Sequence, residues 1–315
     1  MIHVAIIGLG AIGQRLIPAF QQHPDYTIYA VCDVNQQLAE QTATTYNIGT
    51  FTNNYQQLLD DTKVDLVYVA VPPKYHHQIV LDTIARGKHI LCEKPLANSL
   101  EEAQEIHDAS RKSSIVHAMN FPLHYSPGSS KFRQLLKENY IGSLRRVELF
   151  LRFPEWPRPW QQNDWVGKKE QGGFVLEVGV HYIHQMQTMF GPLSVKHMDL
   201  RFPEDPTASE NSIIAHLELE NGTPVVINGL SQIAGEEEIR FTVYGSEGTL
   251  SLVNWAQLEG AKIGDKMNTL PVPNDNDRLL EELAKSIRGE KGNIVTFKEG
   301  LEAQEILEQL RKGEE

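Results

Sequence analysis

Val4-Ala5-Ile6-Ile7-Gly8-Leu9-Gly10-Ala11-Ile12-Gly13 is the stretch that decides the fold. Four apolar residues describe a buried strand. The glycines after them, at G-x-G-x-x-G spacing, open a helical pattern that places Ile12, Leu16 and Phe20 on one face. In that context the glycines serve a tight turn, the close approach of a pyrophosphate and close packing of helix on strand. The helix N-terminus adds an attraction for phosphate charge. Pro18 is the discordant residue, because it removes a hydrogen bond and should kink the helix axis.

A second strand, Thr27 to Cys32, leads to Asp33, which stands about 20 residues beyond the last glycine, where an acid can accept the hydroxyls of an adenine ribose. The glycine motif alone is weak, since a structural βαβ unit uses glycines for packing too. Strand, glycines, helix, strand and acid in register are strong. Val34 and Asn35 follow Asp33 with no arginine, so a 2'-phosphate would meet an uncompensated negative charge. NAD is therefore favoured over NADP, with Gly8, Gly10, Ala11, Ile12, Gly13 and Asp33 as its contacts.

Working outward, helical patterns at Gln36 to Tyr46, Tyr55 to Leu59 and His77 to Ala85 alternate with strands at Val64 to Val71, at Ile90 to Glu93 and at Ile115 to Met119. A further helix starts at Ser99, where Glu102 completes a capping box. This grammar predicts an α/β fold whose first domain, residues 1–121, is a Rossmann-type doubly wound parallel sheet. Within it, the apolar run Ile90-Leu91-Cys92 stops at Glu93-Lys94-Pro95. Proline cannot continue the ladder, so Lys94 is presented at a strand's carboxyl end, where open α/β sheets bind ligands.

Past Asn120 strands dominate: Arg145 to Phe153, Val195 to Phe202, Ile213 to Leu219, Pro224 to Leu230, Glu237 to Tyr244 and Thr249 to Val253. Asn221-Gly222 predicts a type I' hairpin turn, and Gly245 to Gly248 the next turn. Ile239, Phe241 and Val243 alternate with Arg240, Thr242 and Tyr244, as a sheet with one buried face requires. Residues 122–315 are expected to form an α/β substrate-binding domain with a mostly antiparallel open sheet. Two amphipathic helices close the chain, through Leu279, Leu280, Leu283 and Ile287 and through Ala303, Ile306, Leu307 and Leu310, and are free to pack back on the first domain.

Composition excludes several classes of function. The 315 residues are 41% hydrophobic and 22% charged, as in an ordinary globular protein of two domains. A net charge of -12 without a basic cluster argues against nucleic acid and anionic membrane as partners. No apolar run approaches the roughly 20 residues of a membrane helix, and Met1-Ile2-His3 leads directly into a strand, so a cytoplasmic location is expected. Cys32 and Cys92 lie in apolar strand-like runs and read as buried free thiols.

The second half concentrates its chemistry in Gly172 to His184. If the segment is helical from about Phe174, then Glu177, His181 and His184 stand at i, i+4 and i+7 on one face. Three readings stay open here: a polar face making packing hydrogen bonds, an acid-base pair in which Glu177 orients His181, and a metal site. The metal reading is the weaker of the two chemical ones, and no metal is assigned. Trp156, Arg158, Trp160 and Trp165 form an aromatic loop suited either to sugar faces and anionic groups or to an interface. Asn120 and Tyr125 are weaker candidates for substrate contact.

These motifs together resemble the Gfo/Idh/MocA family of NAD(P)-dependent oxidoreductases over most of the chain. Gly8 to Gly13 matches its cofactor fingerprint, Val71-Pro72-Pro73 with His76 its loop after the fourth strand, and Glu93-Lys94-Pro95 its active-site signature. Gly172-Gly173 through His181 is similar to its G-G-x-x-x-D-x-G-x-H segment, with Glu177 in place of the usual aspartate and His184 where a second aspartate is common. The resemblance implies a substrate lying above the nicotinamide between two domains, with Lys94 and His181 acting on the reacting hydroxyl and Glu177 beside them. It implies Val71, Pro72, His76 and Glu93 near the cofactor, His184 near the substrate, and a sugar, polyol or related cyclic alcohol as that substrate. It also implies a homodimer or homotetramer formed through the open sheet face, with Ile213 to Leu219 as part of that surface. A glycosidase or lyase working by transient oxidation, and a noncatalytic NAD-binding regulator, are the competing functions.

Overall fold

The computed structural model describes residues 1–161, 163, 165–273 and 278–312. They divide into two compact units, Met1–Phe121 with Asp277–Gln304 and Pro122–Asn276 with Glu305–Glu315.

In the first unit, β1 (Ile2–Ile7), β2 (Tyr26–Cys32), β3 (Thr50–Thr52), β4 (Leu66–Val69), β5 (His89–Glu93) and β6 (His117–Asn120) form one sheet. The order is β3-β2-β1-β4-β5-β6, and each pairing is parallel. Strand order reverses between β1 and β4, the switch point at which doubly wound sheets take ligands. All of β4 and nearly all of β1 and β5 are buried, as in a sheet covered on both faces. The three-residue β3 escaped prediction because a half-exposed edge strand of that length has no readable periodicity. Cys32 and Cys92 are buried free thiols, as expected.

The helix after the glycines is two helices. Ala11–Arg15 ends at Leu16, and Ile17–Gln22 begins with Pro18 in its first turn, where a missing N–H breaks no hydrogen bond. The anticipated common face of Ile12, Leu16 and Phe20 is thereby corrected: Phe20 is fully buried, whereas Ile12 is 37% exposed. Residues 278–304 return to this sheet. Tyr26 donates its hydroxyl to the Leu280 carbonyl at 2.8 Å, Met119 N–H bonds the Val295 carbonyl at 2.7 Å, and His117 stacks on Phe297.

The second unit holds β7 (Leu144–Phe153), β8 (Leu193–Arg201), β9 (Ser212–Leu219), β10 (Pro224–Ser231), β11 (Glu238–Gly245), β12 (Gly248–Val253), β13 (Gln257–Lys262) and β14 (Asn268–Thr269). They run β14-β13-β12-β11-β7-β10-β9-β8, with β10 parallel to β7 and the remaining pairs antiparallel. Ile239, Phe241 and Val243 line the buried face as their alternation predicts. The β9–β10 hairpin differs from the type I' expectation. Gly222 has φ 81° but Asn221 is not left-handed, and Gly222 N–H bonds the Leu219 carbonyl at 2.8 Å. This is a three-residue connection with glycine as its left-handed residue, a geometry that also matches strand twist. No helix among the described residues is long and apolar enough to cross a membrane.

Candidate active site

The glycine loop of the first unit separates packing from binding. A Cβ on Gly13 would lie 1.9 Å from the Gly8 carbonyl oxygen, and one on Gly8 would lie 2.5 Å from that of Ala70. These two glycines are demanded by neighbouring backbone. Gly10 is exposed, and a Cβ there would meet nothing within 4 Å. The space beside Gly10, Ala11 and Ile12, all exposed, fits the pyrophosphate approach for which such a glycine is used. Asp33 stands at the end of β2 with Oδ2 accepting the Leu9 N–H at 2.8 Å and Oδ1 accepting the Asn35 N–H at 2.9 Å. Each oxygen keeps a further lone pair for a ribose hydroxyl.

Beyond β4, Val71 and Pro72 are half-buried, while His76 is wholly enclosed. Its Nδ1 lies 2.9 Å from the Pro95 carbonyl oxygen and its Nε2 2.8 Å from that of Val71. A neutral imidazole donates to only one of them, and burial pushes the ring away from the protonated form that could serve both. His76 ties the loop after β4 to the segment after β5, and it could bear on a cofactor only through the backbone it holds.

Glu93 is a buried carboxyl group at the end of β5. It is 6% exposed and accepts bonds from the Tyr68 hydroxyl and the Asn120 amide, each at 2.6 Å. Burial pushes its carboxyl up while those bonds pull the other way. Asn120, considered for substrate contact, has its amide committed to Glu93. The next residue, half-buried Lys94, leaves the carboxyl end of β5 one strand from the switch point.

In the second unit a π-helical turn, Val175–Gly179, passes into the α-helix Val180–Phe190. Glu177 therefore sits in the wide turn, whereas His181 and His184 sit in the α-helix that follows it. Glu177 faces the Gln161 amide at 3.4 Å. His181, 4% exposed, meets the Trp255 ring edge-on at 5.2 Å between centroids. His184 packs against His124 at 5.3 Å and lies 3.3 Å from the Thr188 hydroxyl. Burial first, then His124 and Arg133, push His184 down to about 3, so its imidazole is neutral near pH 7. Among the described residues, no group of three or more His, Cys, Asp or Glu side chains could hold a metal ion.

The aromatic loop is anchored to the sheet. Trp156 packs on Phe153 and Phe174 at 5.0 and 6.0 Å. Arg158, expected to meet an anionic substrate group, makes a two-bond fork with Glu237 at 2.8 and 2.9 Å and is 6% exposed. Its charge is already answered within the protein. Trp160 is 57% exposed, Trp165 is half-buried, and Tyr125 is buried with its ring against His124.

Sequence reasoning missed Tyr68, Glu237 and Trp255. Trp255 and Asn254 have φ of 73° and 46°, side by side in the turn between β12 and β13, where Asn-Gly would be the ordinary choice. A tryptophan held in the left-handed region is strained, by about 1–3 kcal/mol. Here its ring spans His181 and Tyr182. The only trace in the sequence is the Val-Asn-Trp-Ala break between two apolar runs.

Comparison with known proteins agrees with this architecture. Residues 2–121 match the family model of an oxidoreductase family with an NAD-binding Rossmann fold, and residues 133–313 match that family's C-terminal alpha/beta domain. The chain is 25% identical to an uncharacterized oxidoreductase of Synechocystis, over 97% of this chain and 92% of that protein. It is 24% identical to levoglucosan dehydrogenase of Pseudarthrobacter phenanthrenivorans, over 79% and 73%. A solved structure of levoglucosan dehydrogenase with NADH superimposes with a TM-score of 0.85 at 20% identity, covering 98% of this chain and 95% of that one, a likeness of fold. With both domain models matched along nearly its whole length, the chain belongs to the Gfo/Idh/MocA family of NAD-binding oxidoreductases.

Proposed function

We propose that this dehydrogenase moves a hydride between NAD and a secondary hydroxyl of a sugar, polyol or related cyclic alcohol. The observation that carries the reading is the glycine loop, open at Gly10 and closed by backbone at Gly8 and Gly13, in a chain that keeps Lys94 and His181 at the family's motif positions. Similarity to levoglucosan dehydrogenase supports a sugar, and the Trp255 face beside His181 suits the apolar face of a sugar ring.

Bound NAD supplies the hydride acceptor. The imidazole of His181 takes the hydroxyl proton, and the Lys94 ammonium donates to the same oxygen as negative charge grows on it. Glu177 faces the polar end of this segment and steadies the charged imidazole. Glu93 is held by Tyr68 and Asn120, so the strand end that presents Lys94 starts from a fixed side chain. The surface bearing Ile214 and Leu230, 56% and 44% exposed on the outer side of the second sheet, is assigned to contact between copies of the chain.

Purified protein with NAD and a panel of sugars, anhydrosugars and cyclic polyols should give NADH absorbance at 340 nm with at least one member. Failure with the whole panel would sink the reading. Product formed without net NADH, and lost when cofactor is stripped, would transfer the protein to elimination by transient oxidation.

Cofactor choice has its own test. Asp33→Ser removes the charge that repels a 2'-phosphate, and like-charge contacts cost several kcal/mol, so the preference for NAD over NADP should fall by at least about tenfold in kcat/KM. Affinity for NAD should fall as well, because Asp33 also holds the Leu9 N–H. An unchanged ratio would remove Asp33 from cofactor selection.

A further inference from the structure

Glu210 lies far in sequence from Gly172-Gly173, yet it explains the second glycine of that pair. A Cβ on Gly173, at φ 102°, would fall 2.1 Å from the Glu210 Oε2 and 2.5 Å from its Oε1. Gly173 has no side chain because a carboxylate occupies the place. Gly172 answers a different approach, since a Cβ there would fall 2.1 Å from the Val166 carbonyl oxygen.

Glu210 is 5% exposed, and its carboxylate stands at the start of the helical segment that carries Glu177 and His181. Its Oε1 accepts the Val175 N–H at 2.8 Å, and the N–H groups of Phe174 and of Glu210 itself also support its charge. Amide groups at a helix start have no partner inside the helix, and a buried one left unpaired is costly. Burial nevertheless pushes the carboxyl up to about 7. From the last helix, Arg311 donates to the Lys169 and Glu170 carbonyls at 2.7 and 3.2 Å, and its charge acts on both Glu210 and Glu177.

We propose that Glu210 is a positioning residue, which pins the start of the helix at Phe174 and Val175 and so sets the direction from which Glu177 and His181 act. The inference rests on the reading of His181 as proton acceptor. The π turn at Val175–Gly179 gives the pin its consequence. A π turn holds one more residue than an α turn, and pinning its first residues keeps that residue in place. Releasing them lets the turn relax to α geometry, which rotates Glu177 against His181.

The test compares Glu210→Ala, Glu210→Asp and Glu210→Gln with His181→Ala in the full-length holoenzyme. Glu210→Ala removes the acceptor, Glu210→Asp keeps the charge but withdraws it by one methylene, and Glu210→Gln keeps an acceptor oxygen of the same reach. Movement of a reacting group by about an ångström can cost up to a hundredfold. Glu210→Ala and Glu210→Asp are therefore expected to lower kcat by about ten- to a hundredfold with KM for NAD unchanged, and Glu210→Gln to recover most of it. The C2 proton resonance of His181, identified by its loss in His181→Ala, should shift in Glu210→Asp. If Glu210→Ala does not fold, Glu210→Asp decides. Wild-type kcat and an unmoved resonance in a folded Glu210→Asp protein overturn the proposal. Wild-type kcat in His181→Ala would instead overturn the reading of the site, so the two failures are distinguishable.

Discussion

The Lys94→Ala enzyme is expected to lose about a hundred- to a thousandfold in kcat on its best sugar or polyol, the range found when a single donor to a developing oxyanion is removed. Two features of the chain make the effect large. Lys94 leaves the carboxyl end of β5 next to Pro95, whose carbonyl oxygen lies 2.9 Å from the Nδ1 of His76, so the backbone that carries the ammonium is anchored. Tyr68 and Asn120, on the strands either side of β5, both donate to Glu93 rather than to a substrate oxygen. Lys94→Arg should recover only part of the loss, because a planar guanidinium does not reproduce the single point donor of an ammonium. Steady-state kinetics with NAD saturating provides the check. Retention of more than a tenth of wild-type turnover by Lys94→Ala would remove Lys94 from the chemistry.

Gly8→Ala is expected to damage the fold itself. The new Cβ would fall 2.5 Å from the Ala70 carbonyl oxygen at a backbone φ of 94°. Backbone atoms at the end of β4 cannot step aside as a side-chain tip could, and the left-handed conformation adds strain of its own. The two contributions together amount to about 3 kcal/mol or more, which lowers the thermal midpoint by roughly 6–12 °C in a unit of this size. Gly10→Ala is the control. Nothing within 4 Å opposes its Cβ, so the midpoint should hold while the affinity for NAD falls. Equal melting of wild type and Gly8→Ala, measured by calorimetry, would contradict the packing role; undiminished NAD binding by Gly10→Ala would contradict the cofactor role.

Much of the first unit was legible residue by residue. Buried parallel strands write themselves as unbroken apolar runs, so β1, β2, β4 and β5 stood out, whereas β3 and β13, short or poor in large apolar residues, did not. Pro18 was a visible signal misassigned: it marks the first turn of a second helix rather than a kink in one. In the second unit the alternation of Ile239, Phe241 and Val243 gave the sheet face, but the neighbours of Arg158, Glu93 and His181 come from elements 79, 27 and 74 residues distant in the chain, Glu237, Asn120 and Trp255. No local pattern encodes such pairings.

What the sequence determined by itself is the alternating fold, the glycine fingerprint ending in Asp33, and the identity of Lys94, Glu177 and His181 as the groups worth following. These rest on periodicity and on backbone demands that a glycine or proline states locally. Only the tertiary structure decided which glycines serve packing and which leaves an opening, that Glu93 and Arg158 are engaged inside the protein, and that Glu177 sits in a π turn ahead of the α-helix that carries His181. The reason is physical: burial and hydrogen-bond partnership are properties of residues brought together from distant parts of the chain, and their energies depend on distances that spacing along a sequence does not contain.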